Sequence, residues 1–202
     1  LTFLDPACGS GNFLTETYLS LRRLENEILQ ELQGGQMVLG YDNMNPIQVS
    51  ISQFYGIEIN DFAVTVAKTA LWIAESQMMK ETESIVLMHL DFLPLKTNAF
   101  IHEGNALQVD WESVIPKYRL SYIMGNPPFV ARAGRTKAKD SSSKGMLDDT
   151  QKTDRLNVFG EDLGNVDYVA CWFKKAAVFT KNTAIRCAFV ATDSICQGQQ
   201  IY

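Results

Sequence analysis

The chain has 202 residues, of which 46% are apolar, 20% charged and 10% aromatic, a composition that builds one packed core and excludes a disordered tail or a coiled coil. Eighteen Lys and Arg stand against 23 Asp and Glu, a net charge of −5, so an overall basic field does not hold this chain on nucleic acid; any such contact needs a local patch or a further part of the protein. No run approaches the ~18 apolar residues of a membrane span, and no charged-then-apolar leader is present.

Leu1 to Leu4 reads as a strand, followed by a tight turn and a helix from about Asn12 to Gln33. In that helix Phe13, Leu14, Thr17, Leu21, Leu24, Ile28 and Leu32 fall on one side, and Gly34-Gly35 stops it. Residues 36–53 form a polar connection with Asn43, Asn45 and Pro46. Phe54 to Ile59 is a second strand, and Asp61 caps a helix running to about Met79. The short apolar run Ile85 to Met88 leads into a connection with Asp91 and Pro94. Ala99 to His102 and Tyr122 to Met124 are the third and fourth strands, Val166 to Thr180 a helix, and Ile185 to Ala191 a fifth strand.

Residues 131–155 break the pattern, with seven basic side chains (Arg132, Arg135, Lys137, Lys139, Lys144, Lys152, Arg155) against four acidic ones. The run Asp140-Ser141-Ser142-Ser143-Lys144-Gly145 at its centre has the composition of a mobile loop, and an insertion is expected over 131–160. Its basic half reads either as a local patch that contacts the phosphates of a nucleic-acid partner and orders on binding, or as a solvated insertion with no role. The opening at Leu1, without an initiator Met, and the stop at Tyr202 inside a new element read as a piece of a longer polypeptide. Cys8, Cys171, Cys187 and Cys196 show no C-x-x-C pair and no His cluster. Free thiols in a reducing cytoplasm are expected, with no metal site and no disulfide.

Alternating strands and helices imply an α/β fold, a parallel sheet with helices on both faces. Ligands in such sheets sit at the carboxyl ends of the strands, and four motifs fall there. The first is Asp5-Pro6-Ala7-Cys8-Gly9-Ser10-Gly11-Asn12-Phe13, whose glycines let the backbone pass close to a ligand at a helix N-terminus. The second is Glu58, placed to accept hydrogen bonds from ribose hydroxyls, with Ile59 beside it to cover a purine face. The third is His102-Glu103-Gly104-Asn105-Ala106-Leu107, where Asn105 by itself reads first as an ordinary turn Asn and second as a donor and acceptor for an adenine edge; Asp91 and Asp110 are weaker candidates. The fourth is Asn126-Pro127-Pro128-Phe129 after Tyr122 to Gly125. Prolines there remove N–H donors, stiffen the turn and leave carbonyls free, and Phe129 offers an aromatic face.

In this order the four motifs resemble the class I S-adenosylmethionine-dependent methyltransferases, specifically the N6-adenine DNA methyltransferases. Phe54 to Glu58 with Ala70-Leu71-Trp72, and Val166 to Ala170 with Trp172-Phe173, are similar to the MmeI-like branch. The resemblance implies a Rossmann-like methyltransferase catalytic domain over 1–202, truncated before the last strands. It implies S-adenosylmethionine held by Asp5, Pro6, Ala7, Gly9, Gly11, Phe13, Glu58, Ile59, Asn105 and Ala106, and catalysis by Asn126, Pro127, Pro128 and Phe129. Many relatives carry Asp where Asn105 stands. Partners implied are double-stranded DNA, a recognition domain and a possible nuclease domain on the same polypeptide, with no membrane. A methyltransferase acting on RNA or on a protein glutamine, and a non-catalytic nucleotide-binding sheet, are the competing readings of the same motifs.

Overall fold

Short apolar strands separated by amphipathic helices leave the chain one economical arrangement, with each crossover helix returning it to a parallel neighbour. The computed structural model describes residues 1–33, 47–86, 98–130, 147–160 and 166–196. Strands β1 (Phe3–Asp5), β2 (Phe54–Glu58), β3 (Phe100–Glu103), β4 (Tyr122–Gly125) and β5 (Arg186–Phe189) form a sheet in the order β3-β2-β1-β4-β5. All neighbouring pairs are parallel. The helices are α1 (Asn12–Gln33), α2 (Asp61–Val86), the single turn α3 (Trp111–Val114), α4 (Asp149–Phe159) and α5 (Ala170–Thr180).

Side chains alternate across the strands, so each face receives its own core. Phe3, Phe54 and Ile101 pack with Leu14 and Tyr18 of α1 and Val64, Leu71 and Met78 of α2. Leu4, Tyr55, Ile57 and Ile123 face the other way, against Trp111 and Ile115 and against Cys171, Trp172 and Phe179 of α5. The first residues of three strands stack as a ladder, with Phe3 5.1 Å from Phe54 and 5.4 Å from Tyr122 between ring centroids. Burying an aromatic side chain this fully stabilises by about 1.5–3 kcal/mol, which ties the sheet together at the end opposite the candidate motifs.

Several expectations need correction. The first strand begins at Phe3 and includes Asp5, which draws that carboxylate into the sheet. Helix α1 has the expected bounds but a different buried face. Leu14, Tyr18, Arg22, Asn26 and Leu29 are buried, whereas Phe13, Leu24, Ile28 and Leu32 are exposed. Apolar periodicity could not find this face because two of its members are polar. Arg22 donates to Thr82 Oγ1 of α2 at 2.6 Å, and the Thr82 hydroxyl donates to Asn26 Oδ1 at 2.7 Å. Helix α2 is capped by Asn60, whose Oδ1 accepts from Ala63 N at 2.9 Å; Asp61 is its first helical residue, and the helix runs past Met79 to Val86. Helix α5 begins at Ala170 rather than Val166.

Within the expected insertion, residues 149–159 are helix, opened by a capping box in which Asp148 accepts from Gln151 N at 2.7 Å and Gln151 Oε1 accepts from Asp148 N. The Gly34-Gly35 stop, the connection to Pro46, Met88 with Asp91 and Pro94, and 131–146 with the basic cluster lie outside the described residues. Strand β5 is an edge of the described sheet, and Arg186, Cys187 and Ala188 are exposed along it. Cys8, Cys171 and Cys187 are free thiols. No helix among the described residues is long and apolar enough to cross a membrane.

Candidate functional site

The strand order reverses at β1, since β2 and β3 lie to one side of it and β4 and β5 to the other. Connections leave β1 and β4 in opposite directions, so a crevice opens between their carboxyl ends, which is where open parallel sheets bind ligands. The motif Asp5 to Asn12 fills the β1 side. Asp5 Oδ1 accepts from Ala7 N at 2.9 Å, Cys8 N donates to the Ile57 carbonyl at 3.1 Å, and Gly11 N donates to the Cys8 carbonyl at 2.8 Å. The loop is thereby anchored to both β1 and β2 before α1 begins. Trp172 of α5 donates its indole N–H to the Pro6 carbonyl at 3.1 Å, fixing the loop from the opposite face.

Two glycines make the turn possible. Gly9 has φ +53° and Gly11 φ +82°, conformations that side chains rarely adopt. A Cβ at Gly11 would lie 3.0 Å from Ala67 Cβ, so this glycine lets α1 pass against α2. A Cβ at Gly9 would meet nothing within 4 Å. The backbone there borders open space, which suits close approach by a ligand. Gly9 N donates to Glu58 Oε2 at 2.9 Å and Asn60 N to Glu58 Oε1 at 2.9 Å. The carboxylate that ends β2 is thus fixed at the mouth of the glycine loop, and each of its oxygens keeps a lone pair.

Strand β4 brings the fourth motif to the same place. Gly125 has φ +152°, and a Cβ on it would overlap the Asp5 carboxylate, lying 2.9 Å from Asp5 Cγ. Its lack of a side chain is what lets the end of β4, immediately before Asn126, approach Asp5. The importance of this residue was not apparent from the sequence. Asn126, Pro128 and Phe129 are exposed and Pro127 is buried. Phe13 is 38% and Ile59 66% exposed, so both offer apolar surface beside the loop.

The third motif joins through β3. Gly104 N donates to the Glu58 carbonyl at 2.8 Å, which places Asn105 one residue beyond the Glu58 strand end. Asn105 is already engaged: its Oδ1 accepts from Leu107 N at 2.9 Å and its Nδ2 donates to Asp154 Oδ2 at 2.7 Å. Ala106 is buried, and its carbonyl accepts from Trp111 Nε1 and from Lys175 Nζ, both at 2.8 Å. Lys175 also donates to the Leu107 and Val109 carbonyls at 2.9 and 2.6 Å, so one ammonium holds the whole turn. Asp110 serves as the cap of α3, accepting from Glu112 N at 3.0 Å. Sequence reasoning missed Asp154, Gln108 and Lys175 as supports of this turn. The Asp148-x-x-Gln151 spacing was the available signal for the helix that delivers Asp154.

The site is acidic. Burial pushes the Asp5 carboxyl up to about 7, the Ala7 N–H opposes that, and the nearby Glu58 carboxylate adds to it. Burial, then Asp5 and Glu58, likewise push the Cys8 thiol far above its usual range, so Cys8 is an inert core residue rather than a nucleophile. The buried Asp5 carboxyl and the half-buried Glu58 carboxylate behind the glycine loop, with a backbone N–H as the opposing influence on Asp5, form a site suited to a cationic ligand.

The likeness to known proteins runs along the whole chain. The family model described as the DNA-methyltransferase domain of MmeI matches residues 1–202. DNA methyltransferase A of Bacillus subtilis (strain 168) is 40% identical over 206 residues, covering 100% of this chain and 22% of that protein. The solved structure of the type IIL restriction–modification enzyme MmeI in complex with DNA is 44% identical with a TM-score of 0.84, covering 99% of this chain and 25% of that one. The type ISP enzyme LlaBIII, solved bound to DNA, shares the fold at 14% identity and a TM-score of 0.56, covering 100% of this chain and 13% of that one. The chain therefore spans about a fifth to a quarter of the two relatives it resembles at 40% identity or more. A family match along its whole length, over a sheet whose motifs converge on one crevice, makes this chain a member of the MmeI DNA-methyltransferase domain family.

Proposed function

We propose that this domain transfers a methyl group from S-adenosylmethionine to the N6 amine of an adenine flipped out of double-stranded DNA, within a larger restriction–modification protein that carries its own recognition domain. The observation that carries this reading is the packing of Gly125, immediately before Asn126 at the end of β4, against Asp5, with the loop that follows Asp5 tied to Glu58 through the Gly9 N–H at the strand-order reversal. A methyltransferase domain needs a methyl donor, and the donor proposed here fits the residues present. Its sulfonium and ammonium charges match an acidic site where burial holds the Asp5 carboxyl up at about 7. Its ribose hydroxyls match the free lone pairs of Glu58. Phe13 and Ile59 supply apolar surface, and Asp5, Pro6, Ala7, Gly9 and Gly11 form the cradle, with Asn105 and Ala106 in the turn on the adenine side.

S-adenosylmethionine supplies an electrophilic methyl when bound. The work of the chain's own residues is orientation. The adenine amine is a poor nucleophile because its lone pair is conjugated with the ring. Asn126 Oδ1 and the Pro127 main-chain carbonyl accept hydrogen bonds from its two N–H groups and turn the lone pair out of conjugation, and one of those protons leaves to solvent once the nitrogen carries the methyl. Pro128 stiffens that turn, and Phe129 stacks on the base, a contact worth ~1–3 kcal/mol in single-strand binders. Flipping the base costs a few kcal/mol, so preorganised acceptors matter more than a strong base.

The test is Asn126→Ala in the complete protein. Cofactor binding should be retained while turnover on duplex DNA falls roughly ten- to a hundredfold, from the loss of hydrogen bonds worth ~1.5–3 kcal/mol. Wild-type turnover would remove Asn126 from the reaction. Labelled methyl appearing on transfer RNA or release factor instead of DNA would redirect the substrate assignment.

A further inference from the structure

Asp154 lies on α4, in a segment whose sequence gave no sign of a role, yet it is buried and surrounded by donors. Its Oδ2 accepts from Asn105 Nδ2 at 2.7 Å and from the Tyr168 hydroxyl at 3.1 Å, and its Oδ1 accepts from Gln108 Nε2 at 2.8 Å. Three donors from two separate segments, the turn after β3 and the turn before α5, therefore fix the carboxylate. Burial first, then Asp154 itself, raises the proton affinity of the Tyr168 phenol, which keeps it a donor.

The consequence falls on Asn105. A side-chain amide ordinarily has two orientations of similar energy, with oxygen and nitrogen exchanged. Here one side of the amide faces an acceptor-only carboxylate and the other a donor-only peptide N–H, that of Leu107. Exchanging the two ends would set donor against donor and acceptor against acceptor. The amide is locked with Oδ1 retaining one free lone pair. A fixed carbonyl acceptor favours a 6-amino purine, whose exocyclic group donates, over a 6-oxo purine, whose exocyclic group accepts.

We propose that Asp154 is a positioning residue that locks the Asn105 amide and thereby sets the preference of the cofactor site for adenine over hypoxanthine. This rests on the S-adenosylmethionine reading above, and it adds a specificity determinant from α4, outside the four motifs. A merely structural role for Asp154 would weaken all ligands alike, so the informative quantity is a ratio.

The experiment measures binding of S-adenosylhomocysteine and S-inosylhomocysteine to the complete protein by calorimetry. The wild type should prefer the adenosyl ligand by about tenfold or more. Asp154→Ala should bring the ratio to within about threefold, Asn105→Ala should do the same, and the double variant should change it no further. Tyr168→Phe, which leaves the Asn105 contact intact, should keep the wild-type ratio. If Asp154→Ala does not fold, the exchange Asn105→Asp/Asp154→Asn decides. It reverses the polarity of the same hydrogen bond and still presents an acceptor, so it should recover the adenine preference that Asn105→Asp alone loses through two apposed carboxylates. Wild-type preference in Asp154→Ala, or no recovery in the exchange, overturns the inference and leaves the cofactor reading standing. A wild-type protein that binds neither ligand overturns both.

Discussion

Replacing Asp5 by Asn isolates the electrostatic burden at the centre of the site. Asp5 is 1% exposed, and its carboxyl is raised from 3.8 to about 7, first by burial and further by Glu58. Between these values the folded state holds a proton that the unfolded chain has released. Stability must then fall as pH rises from about 4 to about 7 and level off above. At 1.36 kcal/mol per pH unit the full difference is about 4 kcal/mol. Asn at this position keeps an acceptor for the Ala7 N–H and titrates nowhere in the range. Asp5→Asn should therefore be more stable than wild type by about 2–4 kcal/mol at pH 8 and within about 1 kcal/mol of it at pH 4. Urea denaturation of both proteins at pH 4, 6 and 8 measures the difference, from which titrating groups that do not interact with Asp5 cancel. Parallel stability curves would show that Asp5 ionises normally and that the site carries no unmet negative charge.

Three further outcomes follow from the same geometry. If a cationic cofactor binds beside Asp5, it lowers the proton affinity of that carboxyl, so S-adenosylmethionine binding at pH 7 should release up to about half a proton; calorimetry in two buffers of different ionisation enthalpy detects it, and zero release counts against the contact. Gly125→Ala forces a Cβ into the Asp5 carboxylate at φ +152° and should destabilise by about 2–3 kcal/mol, read from the denaturation midpoint, with activity lost in parallel. Lys175→Met removes the donor shared by the Ala106, Leu107 and Val109 carbonyls and should lower stability by about 2–3 kcal/mol, with cofactor affinity falling and turnover at saturating cofactor largely retained.

The strands and the motifs at their ends were legible because both depend on local pattern. Short apolar runs mark strands, and glycines, prolines and lone polar residues just beyond them mark places where the backbone is shaped for something other than packing. Phe54 to Glu58 and Asn126 to Phe129 could be read in this way, as could both ends of α1. What local pattern could not show is which polar side chains are buried, because burial is decided by partners distant in sequence. Arg22 and Asn26 lie on the inner face of α1 only because Thr82 of α2 meets them. Asp154 was one charge among many in a basic stretch until α4 brought it within 2.7 Å of Asn105, 49 residues away in sequence. Gly125 read as the end of a strand, and its need to be glycine arises from a positive φ and from β1 delivering Asp5 against it. The amino-acid order thus determined the elements, the order of the motifs and the chemistry they could offer. The tertiary structure alone decided which of them share a crevice and which carboxyl is raised to about 7 there. It also decided which way the Asn105 amide must face, since desolvation and hydrogen-bond pairing are properties of what surrounds a group.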